Sequence, residues 1–196
     1  MLLLDTSLYP VENRAEVLRG GLADIAGVDL APVDGDAAMK LRFRAWVMGD
    51  GCSLLHAQSS GFHFTRRPAG DSCDESPIIG FSMMPAGGAR FGQNDRQDLV
   101  SGGGMFIAEM SHRFTCQFAE NSEGINLQVP LEVLDVPLRD VQTAAQWLPL
   151  SPVYSLARQH LLALLRYTKE FDAPHPSAQQ ATLHVLRALV KSFRTD

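Results

Sequence analysis

The amino-acid sequence predicts a mainly β protein with C-terminal helices, and three observations carry the prediction. From residue 41 the apolar period becomes two: Leu41, Phe43, Ala45 and Val47 alternate with Arg42, Arg44, Trp46 and Met48, as in a strand with one buried face. Between 52 and 129, short apolar runs recur between Gly, Asn, Asp, Ser and Pro, which indicates a sandwich or barrel. After Pro130 the spacing turns helical.

Taken in order, residues 11–26 place Val11, Ala15, Val17, Leu18, Leu22 and Ile25 at helical spacing, weakened by Gly20-Gly21. Strands are expected at 41–48, 52–58, 61–67, 77–84, 88–92, 97–100, 104–110, 112–119 and 123–129. The clearest alternation is HRFTCQF, with His112, Phe114, Cys116 and Phe118 on one face and Arg113, Thr115 and Gln117 on the other. Asn94, Asp95 and Arg96 read as a solvated hairpin tip, and Gly102-Gly103-Gly104 as a turn. Helices are expected at 138–147, 152–171 and 177–194. Ser151-Pro152 supplies an N-cap and an N1 proline, and Ser177 with Gln180 has capping-box spacing. The prolines of DAPHPS at 172–177 lack amide donors and break the last two helices into a hairpin.

Length and composition narrow the function. At 196 residues the chain forms one core, or a domain with an appendage. A net charge of -5 argues against a surface built throughout for nucleic acid, which needs clustered Lys and Arg. Leu2-Leu3-Leu4 has no basic flank and is too short for a signal peptide or a span, so a cytoplasmic protein with no membrane partner is expected. Cys52, Cys73 and Cys116 are odd in number with no CxxC, which fits reduced thiols.

Chemistry-bearing patterns are sparse. No HxH or HxxxH occurs, although His56 and His63 could face each other across a hairpin turning near Ser59-Ser60-Gly61, with Glu109 or His112 nearby. Ordinary hydrogen-bonded strand histidines are the stronger reading, so no metal and no cofactor are expected. There is no GxSxG, and no cysteine has a local partner pattern, so no catalytic residue is assigned. The triple glycine lacks the Lys-Ser/Thr pair and following helix of a phosphate loop. Small-molecule pockets combine apolar walls with a few polar anchors, which makes Arg44, Trp46, His56, His63, Arg66, Phe81 and Met83 the candidate ligand-binding residues. For Trp46, Phe81 and Met83 plain core packing is the competing reading. An inward Arg44 or Arg66 must be paired or must meet an anion.

The order helix, many strands, helical hairpin carries a family pattern, together with FRAWVMGDGCSLLHAQSSGFHFTRRP, ARFGQNDRQDLVSGGGMFIAEMSHRF, INLQVPLEVL and LARQHLLALL. These segments resemble the N-terminal ligand-sensing and dimerisation domain of AraC/XylS-type transcription regulators. The resemblance implies a cupin-like jelly-roll barrel followed by a helical hairpin. It divides the chain into an arm and short helix (1–40), an effector-binding barrel (41–135) and a helical dimerisation segment (136–196). It also implies a small-molecule effector, a homodimer, and DNA contact only through a helix-turn-helix domain expected beyond Asp196. The sequence departs from the family where Gly102-Gly103-Gly104 replaces a frequent Pro-Gly-Asp and Arg113 a proline. On 152–171, Leu161, Leu162 and Leu165 widen the apolar stripe. That width fits an intramolecular core as well as a second copy, and the resemblance favours a dimer interface there. A cupin-type enzyme, metal-dependent or metal-free, is the alternative, and a freestanding interaction domain a third.

Overall fold

Alternating side chains on two antiparallel sheets organise the molecule. The computed structural model describes residues 2–26, 28–31, 40–66, 76–171 and 176–193. In chain order the strands are β1 (Leu2–Asp5), β2 (Val28–Ala31), β3 (Leu41–Gly49), β4 (Cys52–Ser59), β5 (Phe62–Arg66), β6 (Ile78–Ala86), β7 (Gly88–Gln93), β8 (Arg96–Ser101), β9 (Met105–Glu109), β10 (Phe114–Phe118) and β11 (Ser122–Pro130). The helices are α1 (Arg14–Ala26), α2 (Leu131–Leu134), α3 (Leu138–Trp147), α4 (Tyr154–Phe171) and α5 (Pro176–Lys191). One sheet has the order β1-β3-β4-β11-β6-β9 and the other β2-β5-β10-β7-β8. The expected strands from 41 to 129 are all present, as are the helix at 138–147 and the helical hairpin. The sequence reading missed β1 and β2. Strand β1 adds to the edge of β3 with Leu2 opposite Arg44 and Asp5 opposite Arg42. Among the described residues no helix is long and apolar enough to cross a membrane.

The six-stranded sheet is buried on both faces, unlike the one-faced strands expected. One cross-strand row runs Trp46–Leu54–Leu127–Phe81–Ile107 and meets the helices. The adjacent row, Ala45–Leu55–Asn126–Ser82–Phe106, points oppositely, toward the five-stranded sheet. Two-sided burial explains the nearly unbroken apolar runs of β6 and β9.

The helices complete the core begun by Trp46, Phe81 and Leu127, adding Leu134, Val141, Leu161, Leu165, Leu183 and Leu186. Leu161 and Leu165 are 0% and 4% exposed within this single chain. The expectation that they face a second copy is therefore corrected: the wide stripe of α4 is consumed by the sheet and by α5. Leu162 is half-buried and packs on the same cluster. Ser151 Oγ accepts from Val153 N at 3.1 Å, but α4 begins only at Tyr154, so Ser151 and Pro152 stand in the turn before the helix rather than at its N-cap and first position. Ser177 does not lie at an N-cap, because α5 already begins at Pro176 and places it in the first turn. Gln179 in that turn donates from Nε2 to Asp50 Oδ2 (2.9 Å) in the β3–β4 connection. Arg187 donates to the carbonyls of Leu134 (3.0 Å) and Val133 (2.9 Å), closing the exposed end of α2.

Truncating Leu161 to Ala should cost roughly 2–5 kcal/mol in urea or thermal unfolding. The double change Leu161→Glu and Leu165→Glu should leave no cooperative transition. A folded monomer from that variant contradicts the packing described.

The arm is tied down by Asp5, whose Oδ1 accepts from Ser7 Oγ (2.6 Å) and Ser7 N (3.0 Å), and whose Oδ2 accepts from Arg42 Nε (2.9 Å). The Ser7 hydroxyl bond first, and the Arg42 guanidinium after it, hold this carboxyl below its ordinary value of 3.8 despite burial. Its contribution to stability is therefore complete above that ordinary value and is lost as pH falls through the depressed folded value. Acid titration followed by circular dichroism should show a shallower acid limb for Asp5→Asn than for the parent chain.

Candidate functional site: a cavity between the sheets

The inner faces of the two sheets do not meet completely. They leave a cavity of about 110 Å³, room for several water molecules at roughly 10–15 Å³ each. Phe43 and Ala57 reach it from the six-stranded sheet, and Phe62, Phe64, Phe114 and Phe118 from the five-stranded one. Register explains the second group: Phe62 lies opposite Phe118, Phe64 opposite Cys116, and Arg66 opposite Phe114, all on one side of the pleat. The Phe62 and Phe118 rings stack with centroids 4.9 Å apart at 18°, and Phe62 and Phe64 at 5.6 Å and 25°. The result is an almost continuous aromatic wall.

Among the described lining residues the polar side chains are Arg66, Ser82, Asn126 and Gln128. Arg66 donates from Nε to the Met110 carbonyl at 2.7 Å, and burial lowers its pKa. Asn126 donates from Nδ2 to Ser82 Oγ at 2.8 Å, while its Oδ1 is buried and accepts no hydrogen bond. Turning the amide over exchanges the two atoms but still leaves one of them unsatisfied. Cys116 also lines the cavity, and burial pushes its thiol pKa up to about 12, so no thiolate nucleophile is available there at neutral pH.

Of the seven sequence candidates, Arg66 reaches the cavity. Trp46, Phe81 and Met83 are corrected to the helix-facing core, one residue out of phase with the cavity row. Arg44 and His56 are directly opposite each other on that same outward face, and His56 Nε2 sits 2.6 Å from Glu123 Oε1. His63 lies between the cavity residues Phe62 and Phe64, and its side chain therefore leaves on the far side of the five-stranded sheet. The two histidines are on different sheets, so they do not face each other across a hairpin. Among the described residues no three His, Cys, Asp or Glu side chains are grouped to hold a metal ion. Among the cavity residues the candidate set missed are Phe62, Phe64, Ser82 and Asn126. Aromatic residues at period two in FHF and FTCQF were the available signal for the wall; the phase of Ser82 and Asn126 needed the register.

A second, more open groove of about 490 Å³ lies between the β7–β8 hairpin and α3. It corrects the solvated reading of Arg96, which donates to the Ile107 carbonyl and lies 5.1 Å over the Phe91 ring. Glu109 accepts from Gln142 at 3.0 Å and is 3.3 Å from His112 Nδ1.

The family model described as AraC-binding-like domain matches residues 18–193. The chain belongs to that family. The matched span runs from α1 through α5, so the AraC-binding-like unit comprises the helices as well as the cupin-like sheets. Among solved structures it is similar to the AraC-like transcriptional activator CuxR, at 14% identity and a TM-score of 0.73, covering all of this chain and 70% of that one. Weaker likenesses are KdgF from Halomonas sp. (13% identity, TM-score 0.38, covering 52% of this chain and 87% of that one) and a cupin domain of an XRE-family regulator from Enterobacter cloacae (7%, 0.37, 45% and 94%). A search of the curated proteins found no match.

Buried thiols make the geometry of this AraC-binding-like domain checkable. Peptides carrying Cys52 and Cys116 should stay unlabelled when the native protein meets iodoacetamide at neutral pH, and should label fully in denaturant. Rapid native labelling of Cys116 would mean that the cavity wall is open to solvent.

Proposed function

We propose that this chain is the effector-sensing and dimerising part of an AraC-type transcription regulator, cytoplasmic and without catalytic activity of its own. The observation that carries the reading is the six-stranded sheet, which is the cavity wall on one face and the helix platform on the other. A small molecule between the sheets shifts an equilibrium between arrangements of arm, barrel and helices, to the extent that it binds them unequally. DNA contact belongs to a helix-turn-helix reader beyond residue 196. Family membership supports this assignment, as does the greater length of the AraC-like activator's chain.

Pairing two such readers gains avidity, because the second half-site contact becomes intramolecular. With Leu161 and Leu165 committed to the core, the large exposed apolar side chains among the described residues of the helical segment are Trp147, Leu150 and Leu156, which are 50%, 73% and 56% exposed. They lie within ten residues of one another, from the end of α3 to the start of α4.

The reading is tested by fusing residues 1–196 to a DNA-binding domain that represses a reporter only as a dimer. The fusion should restore repression, and Trp147→Glu with Leu156→Glu should abolish it while leaving the thermal unfolding transition intact. Repression no stronger than that of the unfused reader contradicts the dimer.

A further inference from the structure

We infer that the inter-sheet cavity accepts a neutral, flat molecule about one ring in size that carries a single hydroxyl, a simple phenol in chemical class, with the Asn126 side chain as its polar anchor. This rests on the cavity being the effector site and specifies what that site selects.

Size sets the first limit. At roughly 10–15 Å³ per water molecule, the 110 Å³ cavity holds on the order of ten non-hydrogen atoms. Shape sets the second. The rings of Phe62, Phe64 and Phe118 lie nearly parallel, at interplanar angles of 25°, 18° and 21° for the three pairs. A flat ring continues that stack, and Phe43, Ala57 and Ala108 of the six-stranded sheet give it apolar surface on the other side. A sugar brings a hydroxyl on nearly every carbon, and each one left unmatched in an apolar cavity opposes binding.

Charge sets the third limit. Arg66 lines the cavity but is already engaged: its Nε donates to the Met110 carbonyl at 2.7 Å, and it makes a further interaction besides. A carboxylate entering these walls gives up its water with no free cation to meet it, which strongly opposes binding. No Asp or Glu lines the cavity among the described residues, and burial keeps the Cys116 thiol protonated, so a cation finds no counter-charge either. A neutral ligand is what remains. Among the described lining side chains, the buried polar atom without a hydrogen-bond partner is Asn126 Oδ1, while Nδ2 of the same amide donates to Ser82 Oγ at 2.8 Å. A ligand hydroxyl donates to Oδ1; with the amide turned over it accepts from the amide nitrogen instead, so one hydroxyl complements either orientation.

The test is calorimetric titration of the whole chain at neutral pH, where a phenol with its pKa of about 10 is uncharged. The probes are p-cresol, toluene, p-toluate and glucose. p-Cresol should bind about fivefold or more tightly than toluene, the ratio expected when a buried acceptor is matched rather than left bare. p-Toluate and glucose should bind more weakly than toluene. Asn126→Leu and Asn126→Val, each with an unfolding transition verified by circular dichroism, should bring p-cresol down to the level of toluene. Ala57→Leu and Ala108→Leu, which fill the cavity from two different strands, should weaken both compounds. Toluene, p-toluate or glucose matching p-cresol, or p-cresol indifferent to loss of the Asn126 amide, overturns the ligand class; if that binding is still weakened by the filling variants, the cavity stands as effector site. Failure of every compound, or binding indifferent to both filling variants, overturns both.

Discussion

Successive side chains of β3, β4, β6, β9 and β11 go in turn to the inter-sheet cavity and to the helices, so a single sheet is the wall of two interiors. Phe81, Leu127 and Ile107 are almost wholly buried against α3, α4 and α5, while their neighbours Ser82, Asn126 and Phe106 face the cavity. Burying one such apolar side chain is worth roughly 1.5–3 kcal/mol, so neither layer can be lifted from the sheet without a large loss. A close-packed interior also transmits displacement, because it is not compressible. Here lies the physical basis for the proposed sensing: movement at the cavity wall is movement of the helix platform.

A small set of polar contacts fixes where the helices sit. Arg187 and Gln179 fasten α5 to α2 and to the β3–β4 turn. Tyr154 at the start of α4 accepts from the Met105 amide at 3.0 Å, and the Arg158 guanidinium lies against Gly103, where a Cβ would stand 2.6 Å from its nearest nitrogen. Gly103 also has φ +82, and it is this backbone conformation that favours glycine there. The triple glycine is thus the turn its composition suggested, with the Arg158 side chain of α4 lying against it.

Much of the fold was legible because its signals are local. Period-two alternation and turn residues located the strands from β3 to β11, and helical spacing located α3, α4 and α5. β1 and β2 carried too little pattern; what makes them strands is pairing with β3 and β5. The site was far less legible, for one reason. Alternation tells which residues share a face but not which face looks inward, and both faces of this sheet are apolar. Trp46, Phe81 and Met83 were chosen on the wrong phase for that reason, as was His63 beside Phe62 and Phe64. Arg66 could be placed only once β5 was paired with β10. The leucines of α4 failed similarly, since a wide apolar stripe is consumed equally well by a sheet plus a helix as by a second chain.

The central claim is that the sheets and helices share one cooperative core across the six-stranded sheet, and native-state amide hydrogen exchange under increasing denaturant tests it most directly. The amides of β4, β6 and β11 should exchange only through global unfolding, and those of α4 and α5 should join them with the same opening free energy and denaturant dependence. If α4 and α5 open together as a separate, less stable unit while the strands stay protected, the helices are an appendage and the shared-wall account is wrong.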